Sequence, residues 1–298
     1  MGTLFNITLT CSDTAAAKVY KAVSDEVRRL ESLMSPYNKE SEVYILNNSG
    51  APVKVSPETY DILGRSVRVS KESGGAFDIT FMPLGELWDY KNRNFVPPAE
   101  SAIKKVLPIV NYRNILFHEN NTVSLAKSGM KIGLGAIAKG YAVERAVEIM
   151  KAMNITSGIA DAGGNLKVLG SPRLIGVQHP REDSVICSVM MNGGESVSTS
   201  GDYERYALYK GKRYHHILNP ATGFPAEGFA SVSVICSDAT AADAYSTAVF
   251  VMGMEKTNIF LKQHPELAVI IIDRNLAVYA SASLKDRLKT PGSVSWLE

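Results

Sequence analysis

Apolar and polar positions exchange one by one through residues 2–10, the period of a half-buried strand. Asp13 then stands where a cap belongs. Val19, Val23, Val27, Leu30 and Leu33 fall on one face of a helix predicted to run to about Met34. The polar stretch "MSPYNKESEVYILNNSG" (34–50) reads as a loop, followed by a short strand at 53–55. Ser56-Pro57 is a cap followed by a first-turn proline, and starts a second helix to about Ser73. "GGAFDITFMPLGELWDY" has neither period. Its glycines and Pro83 predict an irregular segment in which Phe77, Phe81 and Trp88 are free to pack.

Further on, 101–107 reads as a short helix and 112–132 as strand–turn–strand. In a helix at 136–153, Ala142, Ala146, Ile149 and Met153 form one stripe. Short strands punctuated by glycine pairs fill 157–236. Ser237-Asp238 caps a helix at 239–253, a last helix lies near 255–263, and two strands follow at 267–281. Strands cluster in the second half and do not alternate strictly with helices. The fold class expected is therefore α+β, with mixed, largely antiparallel sheets flanked by helices. The 298 residues are read as one domain, with room for two subdomains.

Composition narrows the function. Hydrophobic residues make up 45% and charged ones 21%, as in an ordinary globule. A net charge of +2 without a Lys/Arg run argues against nucleic acid as a partner. Cys11, Cys187 and Cys236 are far apart, which fits neither a zinc site nor a disulfide framework. No apolar run approaches the ~20 residues of a membrane span, and the start lacks the pattern of a signal peptide.

"MKIGLGAIAKGYAVERAVEIM" contains Gly133-x-Gly135-x-x-Ala138, a variant of the dinucleotide-binding fingerprint. It lies mid-chain, with no clear βαβ unit and no acidic ribose partner at the required spacing, so the Rossmann reading is set aside. Other residues carry more chemistry. Asp243 and Thr247 are four apart on a predicted helix, so a carboxylate and a hydroxyl share a face suited to a hard cation such as Mg²⁺. A structural reading, an early-turn Asp facing the helix dipole, stays open on spacing alone. His215 and His216 are adjacent on a predicted strand and point to opposite faces. Thr199, Ser200 and the Gly201 amide suit a phosphate or ribose. Lys139 stands at a helix start, where anions are favoured. Asp78 closes "GGAFD", a segment able to wrap an aromatic ligand. Cation site, lysine, hydroxyl turns and aromatic loops together are equipment for a nucleotide pyrophosphate.

The motifs "MGT", "MSPY", "GAFDIT", "LGAIAKGYA", "GGN", "TSGDYERY", "HHILNPATGFP" and "DATAADAYSTA" occur in this order from residue 1 to about 253. In this the chain resembles the FAD:protein FMN transferases, the ApbE-type flavin transferases. The resemblance implies an Mg²⁺-dependent enzyme that uses FAD as substrate. It moves FMN onto a Thr or Ser hydroxyl of a target flavoprotein, forms a phosphoester and releases AMP. Typical acceptors are subunits of membrane redox pumps. By the same resemblance Asp243, Thr247 and the Ala136 carbonyl are metal ligands. Met1, Tyr37, Ala76, Phe77, Asp78, Lys139 and Ile217 lie at or near FAD, and His216 assists transfer, with Asp243 beside it as catalytic equipment.

Three positions depart from the family pattern. Gly133 stands where Asp is usual, Ile79 where Pro follows "FD", and Asn219 where Asp precedes Pro220. None removes a metal ligand. The alternatives kept are an Mg²⁺-dependent FAD pyrophosphatase using the same site and a non-catalytic flavin-binding protein. The resemblance implies an extracytoplasmic protein anchored at a membrane through a leader absent from this chain, with a cytoplasmic form as the alternative.

Overall fold

The fold was analysed in a computed structural model, which describes residues 3–298. In chain order the elements begin with β1 (Asn6–Leu9), α1 (Asp13–Met34), α2 (Glu42–Ser49), β2 (Val53–Lys54) and α3 (Pro57–Glu72). Next come α4 (Met82–Gly85), α5 (Glu100–Val106), β3 (Ile115–His118), β4 (Thr122–Leu125) and α6 (Ala138–Ala152). The strands β5 (Gly158–Asp161), β6 (Asn165–Leu169), β7 (Arg173–Gln178), β8 (Val185–Met191), β9 (Ser196–Gly201), β10 (Tyr206–Tyr209), β11 (Lys212–His215) and β12 (Phe229–Cys236) follow. After α7 (Ala239–Gln263), the chain closes with β13 (Ala268–Asp273), β14 (Val278–Ser281), β15 (Leu288–Lys289) and β16 (Val294–Leu297).

The main sheet has eight strands in the order β1-β5-β6-β9-β12-β13-β14-β16. Its neighbours are antiparallel except for the β14–β16 pair, which is parallel. Helices α1, α6 and α7 cover one face, where Val19, Val23, Val143, Val147 and Met150 pack with Ile7 and Ala160. The three-stranded sheet β15-β8-β7 covers the other, joining Val177, Cys187 and Val189 to Val197, Ile235 and Ile270. β12 lies between these layers and all eight of its residues are buried, which is why it reads as a nearly unbroken apolar run. The α+β expectation is met, and no parallel βαβ unit surrounds Gly133: the strands before and after α6 belong to different sheets.

Some elements differ from the sequence reading. The stretch read as a loop at 34–50 contains α2. The Ser41 hydroxyl accepts from the Tyr44 amide at 3.0 Å, Val43 and Leu46 are buried, and Gly50 ends the helix in the left-handed region at φ 63°. The helices expected at 239–253 and near 255–263 form one run broken at Gly253, whose φ of 74° no helical residue adopts. β15 and β16 lie beyond the last expected strand. Two asparagines at positive φ, Asn120 and Asn121, make the tight turn of the β3–β4 hairpin. Among the described residues no helix is long and apolar enough to cross a membrane.

Candidate functional site

The site is organised by the crossing of α6 and α7. At that crossing Gly140 has no room for a side chain. A Cβ there would lie 2.1 Å from the Ala239 carbonyl oxygen and 2.7 Å from the Asp243 Cβ. The bare α-carbon lets the helices close, and the Gly140 amide then donates to Asp243 Oδ2 at 2.8 Å. Asp243 is 3% exposed, so this charged acceptor is fixed by a backbone donor inside the protein.

Its other oxygen faces a cation. Lys139 Nζ lies 3.3 Å from Asp243 Oδ1 and donates to the Gly135 carbonyl at 2.8 Å. One turn further along α7, Thr247 Oγ1 is 3.2 Å from Ser200 Oγ. Ser200 also meets Ser246 Oγ at 2.9 Å, and the Ser246 hydroxyl donates to the Asp243 carbonyl at 2.8 Å. The i, i+4 spacing of Asp243 and Thr247 thus turns both toward the same seam between α6, α7 and β9, as their spacing predicts. Thr199, grouped with Ser200 at the sequence level, goes the other way. Strand alternation aims its hydroxyl at Ser233 Oγ, 2.7 Å off, on the face that packs against the three-stranded sheet.

The two histidines part, but not as two strand residues: β11 ends at His215, and His216 stands in the bend just past it. His215 is 1% exposed and its ring meets Phe250 edge-on. Nε2 lies 3.0 Å from the Ala226 carbonyl, and burial pushes its pKa down to about 4. His216 is half-buried. Its backbone amide donates to the Arg205 carbonyl at 3.0 Å, and Nδ1 lies 3.2 Å from the same oxygen. A carbonyl only accepts, so Nδ1 carries the proton and Nε2 keeps a free lone pair. The surrounding protein, then the neighbouring Arg205 cation and, more weakly, Lys139, push the His216 pKa down to about 4. At neutral pH the ring is an uncharged base within the electrostatic reach of Lys139, which itself touches Asp243.

Of the residues expected near FAD, several have buried side chains. Phe77 is 1% exposed and belongs to the main core. Asp78 is spent on Thr80 beside it and on Tyr112, 34 residues on. Oδ1 accepts from the Thr80 amide (2.8 Å) and hydroxyl (2.6 Å), and Oδ2 from the Tyr112 amide (2.8 Å), while burial raises its pKa. The Ile217 side chain is also buried, and its carbonyl accepts from the Ala226 amide at 2.9 Å. The "GAFD" loop and Ile217 therefore offer a ligand backbone and shape, not side-chain chemistry. Ala76 is half-buried, and Tyr37 projects from the surface at 82% exposure. Met1 lies outside the described residues. Ala136 immediately follows Gly135, whose carbonyl holds Lys139. Three participants escaped the sequence reading: Gly140, Ser246 and the Arg205 carbonyl. Only Gly140 left a local signal, a glycine inside a helix pattern where a packing reason must exist.

Residues 1–271 match the sequence model of the ApbE family. A protein of Treponema pallidum named FAD:protein FMN transferase is 32% identical over 97% of this chain and 87% of its own length. One of the same name from Klebsiella pneumoniae is 31% identical over 95% and 90%. Among solved structures, the ApbE protein of Thermotoga maritima superposes with a TM-score of 0.90 at 36% identity, covering 96% of both chains. The flavin transferase ApbE of Vibrio cholerae gives 0.80 at 27% identity, also with 96% of each chain covered. On sequence and on fold, the chain belongs to the ApbE family.

Proposed function

We propose that this protein transfers FMN from FAD to a Thr or Ser hydroxyl of a target flavoprotein, forming a phosphoester and releasing AMP, with Mg²⁺ as cofactor. The observation that carries the reading is the pairing in one site of an uncharged His216, with Nε2 free, and the Asp243–Lys139 couple. The names borne by relatives from Treponema pallidum and Klebsiella pneumoniae support the same activity.

The residues fit a hard cation. Lys139 already places a positive charge against oxygen ligands only, the Asp243 carboxylate and the Gly135 carbonyl. Among the described residues no cluster of three or more His, Cys, Asp or Glu could hold a metal. One carboxylate, the Thr247 hydroxyl and a backbone carbonyl such as that of Ala136 leave the remaining positions to water and phosphate, as suits Mg²⁺. Bound there, Mg²⁺ would draw negative charge off the pyrophosphate and the AMP leaving group. Lys139, displaced from Asp243, would hold a phosphate oxygen. His216 Nε2 would take the proton of the attacking hydroxyl while Nδ1 stays anchored on the Arg205 carbonyl. Ser200, facing Thr247, would keep that hydroxyl oriented. A subunit of a membrane redox pump is the acceptor class we assign.

The test is one reaction series: protein, FAD and Mg²⁺, with and without an acceptor domain carrying a Ser/Thr-Gly-Ala-Thr-like segment, and with a chelator. AMP is quantified and the acceptor weighed intact by mass spectrometry. An FMN adduct that disappears with chelator is the expected result. FMN and AMP released regardless of acceptor would replace transfer by hydrolysis. FAD bound with no AMP in any tube would leave a flavin-binding protein.

A further inference from the structure

His216 does not hold its own tautomer. Both of its contacts run to one atom, the Arg205 carbonyl oxygen. That oxygen sits at the end of the turn Asp202–Arg205, between β9 and β10. The turn is built tightly at its start. A Cβ on Gly201 would come within 2.4 Å of the Tyr203 ring, so only glycine lets Tyr203 fold back. Asp202 then turns inward at 3% exposure, its amide donating to the Ala230 carbonyl at 3.0 Å.

The Asp202 carboxylate is clamped from a different sheet. Arg181, in the loop joining β7 and β8, donates through Nη1 to Oδ1 at 2.6 Å and through Nη2 to Oδ2 at 2.8 Å. This is a two-pronged pair, which only a guanidinium supplies. Arg213 of β11 adds Nη1 to Oδ1 at 3.3 Å, and its guanidinium lies 4.1 Å over the Tyr206 ring. One buried carboxylate thereby ties together the β7–β8 loop, the Asp202–Arg205 turn and the strand that leads into His216.

We propose that Arg181 and Asp202 are positioning residues for His216. By fixing the Asp202–Arg205 turn they fix the Arg205 carbonyl, which keeps the proton on Nδ1 and leaves Nε2 as the base. The catalytic consequence rests on the reading of His216 as the proton acceptor; the effect on the ring does not. Neither residue touches substrate. A neutral imidazole free in water favours the proton on Nε2, so a loosened turn changes the ring to the form that cannot accept a proton at that nitrogen.

The experiment measures ring and rate separately. Two-bond ¹H–¹⁵N spectra of histidine-labelled protein report the tautomer, with His216 assigned by the signal missing from His216→Gln. Wild type should show the Nδ1–H form. Arg181→Ala should show a mixture richer in Nε2–H, a kcat for FMN transfer about tenfold lower, as for lost orienting partners elsewhere, and a KM for FAD unchanged. Guanidinium ion added to Arg181→Ala should restore part of both signals. If Arg181→Ala does not fold, Arg181→Lys and Asp202→Asn are read the same way, since each keeps a polar partner but loses the two-pronged geometry. A persistent Nδ1–H tautomer in a folded variant overturns the proposal. A shifted tautomer with undiminished transfer keeps the positioning role but removes His216 as the base.

Discussion

The α-carbon of Gly140 lies against the Ala239 carbonyl so closely that α6 and α7 have no room for even a methyl group between them. The obstacle is backbone, so a rotamer change cannot relieve it. Gly140→Ala should push the helices apart and draw the Gly140 amide off Asp243. Overpacking of this kind costs about 1–3 kcal/mol. Urea unfolding should show the lost stability, and Mg²⁺ titration of the residual activity should show a weakened cation site. An unchanged unfolding midpoint would mean the crossing is looser than the structure describes.

Lys139 Nζ stands 3.3 Å from Asp243 Oδ1, the oxygen the proposed cation would take. Removing the ammonium should therefore strengthen metal binding in the absence of FAD. Lys139→Gln is expected to bind Mn²⁺, as a paramagnetic substitute for Mg²⁺, about tenfold more tightly: the partly exposed, movable ammonium realises an energy between the ~1 kcal/mol of two charges about 4 Å apart in water and the ~4 kcal/mol of a pair near a protein surface. The same variant should bind FAD more weakly, because a phosphate partner is gone. Electron paramagnetic resonance of free Mn²⁺ checks the first part and flavin fluorescence the second. Weaker Mn²⁺ binding in the variant would show that Lys139 does not stand where the cation belongs.

His215 links stability to pH. Its pKa falls from 6.5 to about 4 on folding because the ring is buried. Between those values the unfolded chain binds more protons than the folded one. The stabilising preference for the neutral ring is complete above pH 6.5 and is lost as pH falls toward 4. His215 alone accounts for up to about 3 kcal/mol across that window. Urea midpoints of wild type and His215→Leu at pH 7 and pH 4.5 test this. The variant should be less stable at pH 7, having lost the bond to Ala226, but its decline on acidification should be smaller. Equal declines would place the acid sensitivity elsewhere.

What could be read in advance follows the range of each signal. Asp243 and Thr247 were legible because helix spacing is local: four residues fix a common face wherever the helix goes. The same rule was available for α2, whose Ser41, Val43, Leu46 and Gly50 spell cap, stripe and stop, but the polar residues around them masked an eight-residue helix. Phe77 and Asp78 show the opposite limit. Their motif suggests ligand contact, yet Phe77 is drawn into the main core and Asp78 onto Thr80 and Tyr112, the latter 34 residues away. Thr199 and Ser200 read as one cluster by composition, although adjacent strand residues cannot share a face. β15 and β16 have no period to read, because they are a short pair and an edge strand completed only by partners far back in the chain.

Acid should cost the transfer reaction activity along a limb in its pH profile. The free enzyme's essential base sets that limb in kcat/KM. Burial and then the Arg205 cation hold His216 near 4, well below the 6.5 of an unperturbed imidazole. The ring is half-buried, and the solvent it still meets screens part of the charge effect. From pH 6 to 8, kcat/KM for FAD in the transfer reaction should therefore show no loss attributable to His216, with the decline setting in below pH 5. Arg205→Ala keeps the backbone carbonyl that anchors Nδ1 but deletes the neighbouring cation, so the limb should move upward toward 6.5 while the plateau rate changes little. A wild-type limb already at 6.5 would mean that His216 is more solvated than its surroundings indicate, or that another group accepts the proton. A His216→Gln profile that kept the wild-type limb would decide for the second.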